Sequence, residues 1–332
     1  MRPVPGAHSA GPSTPLTVPD NSSLHRDPFL TRRGFLGVVA GTLGATALVG
    51  CSGGGDAADT SAAGGSVATD TASGAGGSGG AGGGAALGLG LQLYTVRDAL
   101  SKDLDGTLAA LAAAGYRHLE SAGYAGKSAQ EFKAALDKHG LHVASMHVPI
   151  NMIRDNGAQV LADARLFGAQ WVVCPWMDEK ERTAEGYKRV GQALAKAADA
   201  WKGENVGVAY HNHDFEFKTV DGGKTGLDTL FEAAGPDVKA ELDIYWAVKA
   251  GQDPLAFARA HPNLVTLVHA KDAGPAPDHT MMDVGKGTID FRTILPQLKA
   301  GGLQYAFVEH DQPTDAIAPA RAGLSHLQSL KL

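Results

Sequence analysis

Cysteine and basic charge are both scarce in this sequence. Among its 332 residues only Cys51 and Cys174 are cysteines, which is too few for a thiolate metal cluster or a disulfide framework. The chain has 29 Lys and Arg residues against 35 Asp and Glu residues, for a formal net charge of −6. This balance gives no overall attraction to nucleic acid or to an anionic membrane surface. We therefore expect neither cysteine-based redox chemistry nor a nucleic-acid partner.

The apolar run near the amino terminus is too short to span a membrane as a stable helix. It extends from Gly34 to Val49, about 15 residues, and follows Arg32-Arg33, a pattern typical of a twin-arginine export signal. The run closes with Leu48-Val49-Gly50-Cys51, which resembles the lipobox of bacterial lipoproteins; an ordinary cleaved signal is the alternative. The sequence thus predicts a signal region over 1–50. The protein would be periplasmic or at the cell surface, and would touch a membrane only through a lipid anchor on Cys51.

Aromatic residues are absent from the segment that follows. Between Ser52 and Ala86 the chain consists almost entirely of Gly, Ala, Ser, Thr and Asp, and it carries 13 of the 44 glycines. Such a segment cannot bury enough apolar surface to offset the entropy lost on ordering. We predict a flexible Gly/Ala/Ser linker over 51–86. The remaining 246 residues, 87–332, have an ordinary composition and suit one large α/β domain or two small ones.

Short β-rich runs alternate with helical segments after the linker, as expected for a parallel sheet with crossover helices. The eight runs are residues 89–94, 116–120, 141–147, 171–174, 206–213, 239–244, 265–271 and 305–310. Eight strand–helix units match the usual size of a (β/α)8 TIM barrel, roughly 250 residues. A doubly wound sheet is the alternative, but the chain from Leu91 to Asp98 lacks the glycines of a phosphate-binding loop. The sequence therefore predicts a TIM barrel.

Polar residues cluster where the last four predicted strands end. In a TIM barrel the reactive groups gather at the carboxyl ends of the strands, and His211, Asp243, His269 and Glu309 lie at four such ends. Carboxylates and imidazoles that converge on one point would repel each other or lose solvation without a cation, whereas a divalent metal makes the grouping favourable. We predict a divalent metal site for Mn²⁺, Zn²⁺, Co²⁺ or Mg²⁺, which the residue types do not distinguish.

Five motifs, in their order and spacing, resemble the sugar phosphate isomerase/epimerase family, whose members have a xylose isomerase-like TIM barrel. The motifs are GLQLYT from Gly90, YHNH from Tyr210, LDIYW from Leu242, HAKD from His269 and VEH from Val308. The resemblance covers about Leu87 to the carboxyl end. It implies one metal ligand from each of strands five to eight, and Asp243, His269 and Glu309 match the last three. The family's strand-five glutamate is absent, so either His211 ligates in its place or Glu216 reaches back from the following loop.

The resemblance also implies a reaction. A base beside the metal would remove the proton next to a carbohydrate carbonyl, giving an enediolate that is reprotonated to an isomer or epimer. Glu309, His211 and His147 are the predicted bases. The predicted substrate contacts are Glu120, His213, Trp246, Lys271 and Trp176. The expected partner is a small-molecule carbohydrate, while the oligomeric state is not predicted.

Other interpretations stay open at this point. The same metal site could serve a 3-ketoglycoside lyase or hydrolase, or the barrel could be a non-catalytic sugar-binding lipoprotein. Phosphodiester cleavage, as in the endonuclease IV enzymes that share this barrel, would require more ligands than the sequence provides at identifiable positions. His147 could be a hydrogen-bonded structural histidine, Glu120 a salt-bridge partner, and the two tryptophans packing residues. Lys271 could equally serve to neutralise the carboxylates of the site.

Overall fold

The computed structural model describes residues 86–313, 315 and 317–332. The predicted signal region, almost all of the predicted linker and Cys51 lie outside these residues, so they stay predictions. Within the described residues, no helix combines the length and the apolar character needed to cross a membrane.

Eight parallel strands form a closed barrel, which confirms the predicted fold. The strands are β1 (Gly88–Gln92), β2 (His118–Ala122), β3 (His142–His147), β4 (Trp171–Cys174), β5 (Gly207–His211), β6 (Val238–Asp243), β7 (Val265–Ala270) and β8 (Tyr305–Val308). Each strand pairs with its neighbours in chain order. The barrel closes where β8 pairs with β1, with Leu91 opposite Val308.

Helices surround the barrel and fill the chain between the strands. They are α1 (Arg97–Lys102), α2 (Leu104–Ala113), α3 (Ala129–Lys138), α4 (Ile150–Asp155), α5 (Gly157–Phe167), α6 (Ala184–Ala200), α7 (Gly226–Ala234), α8 (Ile244–Lys249), α9 (Pro254–Ala260), α10 (Phe291–Ala300) and α11 (Ile317–Ser329). Short 3-10 helices span Leu93–Val96, Glu179–Glu181 and Phe215–Phe217. Helix α3 begins after Ser128, whose hydroxyl accepts from the Glu131 amide while the Glu131 carboxylate accepts from the Ser128 amide, a capping box.

Several strands end earlier than the sequence pattern predicts. Strand β5 ends at His211, β7 at Ala270 and β8 at Val308. The residues His213, Lys271 and Glu309 therefore belong to the loops that follow. After β1 the chain turns at once into a 3-10 helix, because the Gln92 side chain accepts a hydrogen bond from the Tyr94 amide at 2.9 Å. These loop positions put the polar side chains at the carboxyl end of the barrel.

Aromatic rings fill the amino-terminal half of the barrel interior. Tyr305, Phe307 and Trp171 form a cluster there with small and aliphatic residues of neighbouring strands. Glycines make room for the rings: a Cβ atom on Gly88 would lie 2.3 Å from the Tyr305 ring, and one on Gly90 would lie 2.5 Å from the Phe307 ring. The barrel is therefore a packed core at this end, and the polar groups occupy the other end.

Candidate metal centre

Three ligand-type side chains meet at the carboxyl end of the barrel. Asp243 is the last residue of β6, His269 lies near the end of β7, and Glu309 directly follows β8. Asp243 Oδ1 accepts the Trp246 amide at 2.9 Å and so caps α8, which leaves Oδ2 for the site. His269 Nδ1 lies 3.7 Å from Asp243 Oδ2 and 2.5 Å from Glu309 Oε2. With Lys271 and Asp311, these three residues form what we term the outer cluster.

The donor atoms of the outer cluster fit a cation. Asp243 and His269 are 0% exposed and Glu309 is 4% exposed, and one donor atom of each lies within 4.8 Å of the others. Asp243 Oδ2, His269 Nδ1 and Glu309 Oε2 have no hydrogen-bond partner of suitable geometry among the described residues. Buried polar atoms are nearly always satisfied, and a divalent ion would satisfy all three. The donor set of carboxylates and imidazole is compatible with Mn²⁺, Zn²⁺, Co²⁺ or Mg²⁺.

Lys271 places a positive charge among the outer carboxylates. Its Nζ lies 3.0 Å from Asp243 Oδ2, 2.7 Å from Glu309 Oε2 and 2.8 Å from Asp311 Oδ1. Burial alone would lower the pKa of Lys271, but these carboxylates raise it well above the usual value. In turn, Lys271 and His269 outweigh the burial of Glu309 and hold the pKa of that carboxyl well below its usual range. Lys271 therefore stays cationic and Glu309 anionic.

A second group of ionisable residues lies one step deeper in the barrel. This inner cluster consists of Glu120, His147, His211, Glu241 and the Nε2 side of His269. Glu241 Oε2 lies 2.7 Å from His147 Nε2, 3.2 Å from His269 Nε2 and 3.3 Å from His211 Nδ1. Glu120 Oε2 lies 3.1 Å from His147 Nε2 and 2.6 Å from His269 Nε2. The two clusters thus share the His269 ring, which presents one nitrogen to each.

The imidazoles of the inner cluster differ in charge. Burial would lower the pKa of His147, but the carboxylates of Glu120 and Glu241 outweigh it and raise the pKa to about 9. Burial lowers the pKa of His211 well below its usual value, and the nearby His269 and His147 add to the effect. Burial would raise the pKa of Glu241, but the nearby His269 and His147 outweigh it and lower the pKa. His211 is therefore neutral and can offer a nitrogen lone pair to a metal.

The two candidates for the strand-five ligand occupy different places. His211 lies within the inner cluster, and its Nε2 is 3.9 Å from Asp243 Oδ2 of the outer cluster. Glu216 instead accepts hydrogen bonds from the Tyr210 hydroxyl at 2.8 Å and from the His213 amide at 2.7 Å. Both carboxylate oxygens of Glu216 are thereby engaged away from the cation site. This arrangement favours His211 over Glu216 as the strand-five ligand.

The predicted substrate contacts fall into two groups. Trp176 and Trp246 flank His213, at ring-centroid distances of 4.8 and 5.4 Å, and the Arg182 guanidinium lies 4.8 Å from the Trp176 ring centroid. These rings form a wall beside the cluster, where an apolar sugar face could stack. Glu120 is 0% exposed and also accepts from Gln92 Nε2 at 2.8 Å. Its placement favours an action through His269 over direct contact with substrate.

One buried carboxylate accepts hydrogen bonds from several backbone amides of the glycine-containing loop after β7. Asp272 is 1% exposed, and its Oδ2 accepts from the Gly285 and Gly287 amides, both at 2.9 Å. Its Oδ1 accepts from the Ile289 amide at 3.1 Å. A Cβ atom on Gly287 would lie 2.2 Å from Asp272 Oδ1, so glycine is required for this close approach. The loop amides thus bind Asp272, which shapes the rim of the site.

Two residues of the clusters, Glu241 and Asp311, were not predicted as site residues from the sequence, and neither was Gln92, which contacts Glu120. Glu241 and Asp311 each lie two positions from a predicted ligand. Because side chains two apart on a strand share a face, this spacing was the available signal for Glu241. Asp311 lies in the loop beyond β8, where the strand period no longer applies. Gln92 donates a hydrogen bond to Glu120, which lies 28 positions further along the chain. No local sequence pattern predicts this contact.

Comparison with known proteins gives a consistent result. The family model for xylose isomerase-like TIM barrels matches residues 108–330. A sugar phosphate isomerase/epimerase from Parabacteroides distasonis is 25% identical, with a TM-score of 0.64 over 74% of this chain and 96% of that chain. A second one from the same organism is 26% identical, with a TM-score of 0.63 over 72% of this chain and 97% of that chain. No match was found among curated proteins.

A more distant similarity concerns the fold. The IOLI protein, whose crystal structure contains a zinc atom, is 16% identical, with a TM-score of 0.56 over 74% of this chain and 96% of that chain. The closed eight-stranded barrel and the family model, which covers most of the barrel, agree with each other. This chain therefore belongs to the family of xylose isomerase-like TIM barrel proteins.

Proposed function

We propose that this protein is a divalent-metal-dependent enzyme that moves a proton next to the carbonyl group of a carbohydrate, as an isomerase or epimerase. One observation carries the proposal: Asp243 Oδ2, His269 Nδ1 and Glu309 Oε2 converge in the buried end of the barrel. They contact one another and the Lys271 ammonium group, but none has a hydrogen-bond partner of suitable geometry among the described residues. This is the end of the barrel where TIM-barrel active sites lie. The family and the similarity to two sugar phosphate isomerases/epimerases support a carbohydrate substrate.

The residues of the outer cluster would have different roles in binding the cation and the substrate. Asp243, His269 and Glu309 would hold the cation. When bound, a divalent cation supplies positive charge that stabilises the oxyanion developing as a proton leaves the neighbouring carbon. Lys271 adds a fixed positive charge next to two of these ligands. The wall of Trp176, His213 and Trp246 would orient the sugar ring and exclude water from one side.

Glu309 is the proton acceptor that we favour among the three predicted bases. Its carboxylate stays ionised because of Lys271 and His269, and it follows β8 at the open end of the barrel. His147 carries a raised pKa of about 9, which makes it a proton donor rather than an acceptor at neutral pH. His211 is 2% exposed and faces Glu241, so it is less accessible to a substrate carbon.

Elimination from a 3-ketoglycoside is the second candidate function. It begins with removal of the same type of proton, after which the bond to the leaving group breaks. The histidine at the strand-five position suits this elimination as well as it suits an isomerisation with a single base. Because His211 stands where the epimerases of this family carry a glutamate, the paired glutamates that exchange protons on opposite faces of a substrate are not both present in this chain.

Deuterium incorporation separates the two functions. The purified, Mn²⁺-loaded protein would be incubated in D₂O with free aldoses and ketoses, and separately with 3-ketoglycosides. With free sugars, we expect deuterium at the carbon next to the carbonyl, and loss of this exchange in Asp243→Asn or after chelation. With 3-ketoglycosides, we expect no release of the glycone. Glycone release from a 3-ketoglycoside would instead establish the lyase or hydrolase.

A matched control is His142→Gln, at the exposed amino end of β3. It should retain full exchange. Turnover that survives both chelation and Asp243→Asn would refute the metal-dependent mechanism, and sugar binding without any proton exchange or cleavage would indicate a non-catalytic receptor.

A further inference from the structure

An arginine that the proposed function leaves without a role stands beside the candidate metal centre. Arg182 lies in the loop between β4, which ends at Cys174, and α6. This loop leaves the barrel at the carboxyl end of the strands, where the ligand-type side chains also lie. The same loop carries Trp176, whose ring forms part of the wall next to His213. Arg182 therefore stands on the side of the candidate site that this wall forms.

Three contacts hold the Arg182 guanidinium in place. Its Cζ lies 3.5 Å from the centroid of the Phe215 ring and 4.8 Å from that of the Trp176 ring. Its Nε donates to the Met177 carbonyl oxygen at 3.3 Å. A guanidinium stacks well on aromatic rings, and one that is already held in this way loses little further freedom when it binds a ligand. The side chain is thus pre-organised for binding.

In the part of the chain that the structure describes, no carboxylate lies within ion-pair distance of the Arg182 guanidinium. Glu181, its neighbour in the sequence, instead pairs with Arg189 Nη2 at 2.6 Å. Both oxygens of the buried Glu216 accept from other donors. Arg182 is half-buried, so its Nη1 and Nη2 groups can be reached from solvent. A fixed cation that lacks a counter-ion beside an aromatic wall is suited to an anionic group from outside the chain.

The donors around the site favour a carboxylate over a phosphate group. A phosphate dianion is usually bound by several donors, such as a row of backbone amides. The glycine-containing loop after β7 does not supply such a row, because its Gly285 and Gly287 amides already donate to Asp272. Arg182 offers two Nη groups, and their planar fork matches the two oxygens of one carboxylate.

We propose that Arg182 binds a carboxylate substituent of the carbohydrate substrate, so that the enzyme acts on an acidic sugar, of which a uronic acid is the simplest example. The inference rests on the proposed function, because the candidate metal centre is taken to hold the carbonyl end of the same sugar. The Trp176 ring, beside Arg182, lies 4.8 Å from the His213 ring, and the His213 ring lies 4.9 Å from that of His211, measured between centroids. A sugar that stacks along this wall therefore extends from the metal centre toward Arg182.

Matched pairs of ligands test the proposal. Isothermal titration calorimetry on the Mn²⁺-loaded protein would compare D-glucuronate and D-galacturonate with D-glucuronamide and D-galacturonamide, which keep the shape but lack the charge. We expect the parent to bind at least one uronate about 10- to 100-fold more tightly than its amide. Arg182→Gln should abolish this preference without weakening the binding of the amide. Arg182→Lys, which keeps the charge but not the fork, should retain part of the preference. Arg321→Gln, at an exposed position of α11, should behave like the parent.

The outcomes separate this inference from the proposed function. Equal affinities for uronate and amide in the parent, or no binding of either, overturn the acidic substrate, while deuterium exchange on neutral sugars would leave the proposed function standing. An equal loss of uronate and amide binding in Arg182→Gln overturns the inference, because it would show that Arg182 only supports its loop. A uronate preference that depends on Arg182, without any deuterium exchange, upholds the carboxylate site and overturns the proposed function. If Arg182→Gln does not fold, Arg182→Lys decides, and an unchanged preference in it overturns the inference.

Discussion

The two ends of the barrel interior are built on the same strands but filled in opposite ways. At the amino-terminal end, the rings of Tyr305 and Phe307 stack at a centroid distance of 5.7 Å against Gly88 and Gly90, whose lack of a Cβ makes room for them. At the carboxyl-terminal end, carboxylates and imidazoles take the place of the rings. Only Val308, the last residue of β8, separates Phe307 from Glu309, and on β7 only Val268 separates Leu267 from His269.

The two ends contribute differently to the stability of the folded barrel. Ring packing against glycine removes apolar surface from water and fills the volume without unsatisfied polar atoms. The polar end buries several charges close together, which is costly unless cations compensate them. We therefore expect the amino-terminal end to determine the free energy of unfolding, and the carboxyl-terminal end to determine metal binding. Three changes test this contrast.

The largest expected effect is on the ring-filled end. Phe307→Ala should lower the free energy of unfolding by about 3–5 kcal/mol, because Phe307 is 0% exposed and the glycines opposite cannot fill the cavity. Urea denaturation measures the change. Phe257→Ala, the same substitution on the outer helix α9 at a half-buried position, should cost clearly less. A loss below about 1 kcal/mol in Phe307→Ala would show that the ring does not support the barrel.

An intermediate effect is expected where the two clusters meet. Glu120→Gln should weaken metal binding at the outer site by about 10- to 100-fold, because the carboxylate that accepts from His269 Nε2 no longer fixes the ring with Nδ1 facing Asp243 and Glu309. Titration of the metal-free protein with Mn²⁺ measures the affinity. Glu185→Gln, which removes an exposed carboxylate on α6, should leave the affinity unchanged. Equal affinities in both variants would refute the positioning role.

The smallest effect concerns a buried carboxylate outside both clusters. Burial raises the pKa of Glu216 to about 8, against the opposing hydrogen bonds from Tyr210 and the His213 amide. The unfolded chain has the usual pKa of 4.5, so unfolding releases a proton between these values. The contribution of Glu216 to the free energy of unfolding should therefore be largest below pH 4.5 and fall as the pH rises toward 8.

Glu216→Gln removes the ionisable group and should flatten this part of the pH profile. Denaturation midpoints between pH 5 and 8 measure the slope, with Glu185→Gln as the control for loss of one carboxylate. A profile identical to that of the parent would show that Glu216 is already ionised in the folded protein, and that its two hydrogen bonds outweigh its burial.

Much of the fold was predictable because it depends on local patterns. Eight β-rich runs, each followed by helical segments, predicted eight strands, and all eight are present. The predicted ends were less accurate, since β1 stops at Gln92 and β7 at Ala270. Where a strand ends depends on the bonds that the following loop makes. In the case of Gln92, its own side chain draws the next residues into a 3-10 helix, a contact that residue types alone do not specify.

The candidate site was predictable only in part. The strand-end rule placed Asp243, His269 and Glu309 at one end of the barrel, and the structure brings them together. The strand period was also enough to suggest Glu241, which stands two residues before Asp243. The role of Glu120 was not predictable, because its contact with His269 joins residues 149 positions apart. Nor could the sequence tell which oxygen donors are free, since Glu216 is engaged by Tyr210 and by a backbone amide.

The sequence by itself determined the number of barrel strands and the residue types at their ends, because strand period and helix-stop residues act over a few neighbouring positions. Only the tertiary structure decided that one His269 nitrogen faces Asp243 and Glu309 while the other faces Glu120 and Glu241. That choice depends on the rotation of a buried ring among four carboxylates that lie on or directly after three strands, β2, β6 and β8. Closure of the barrel sets the distances between His269 and these carboxylates. Those distances decide which of the groups a single bound cation can contact.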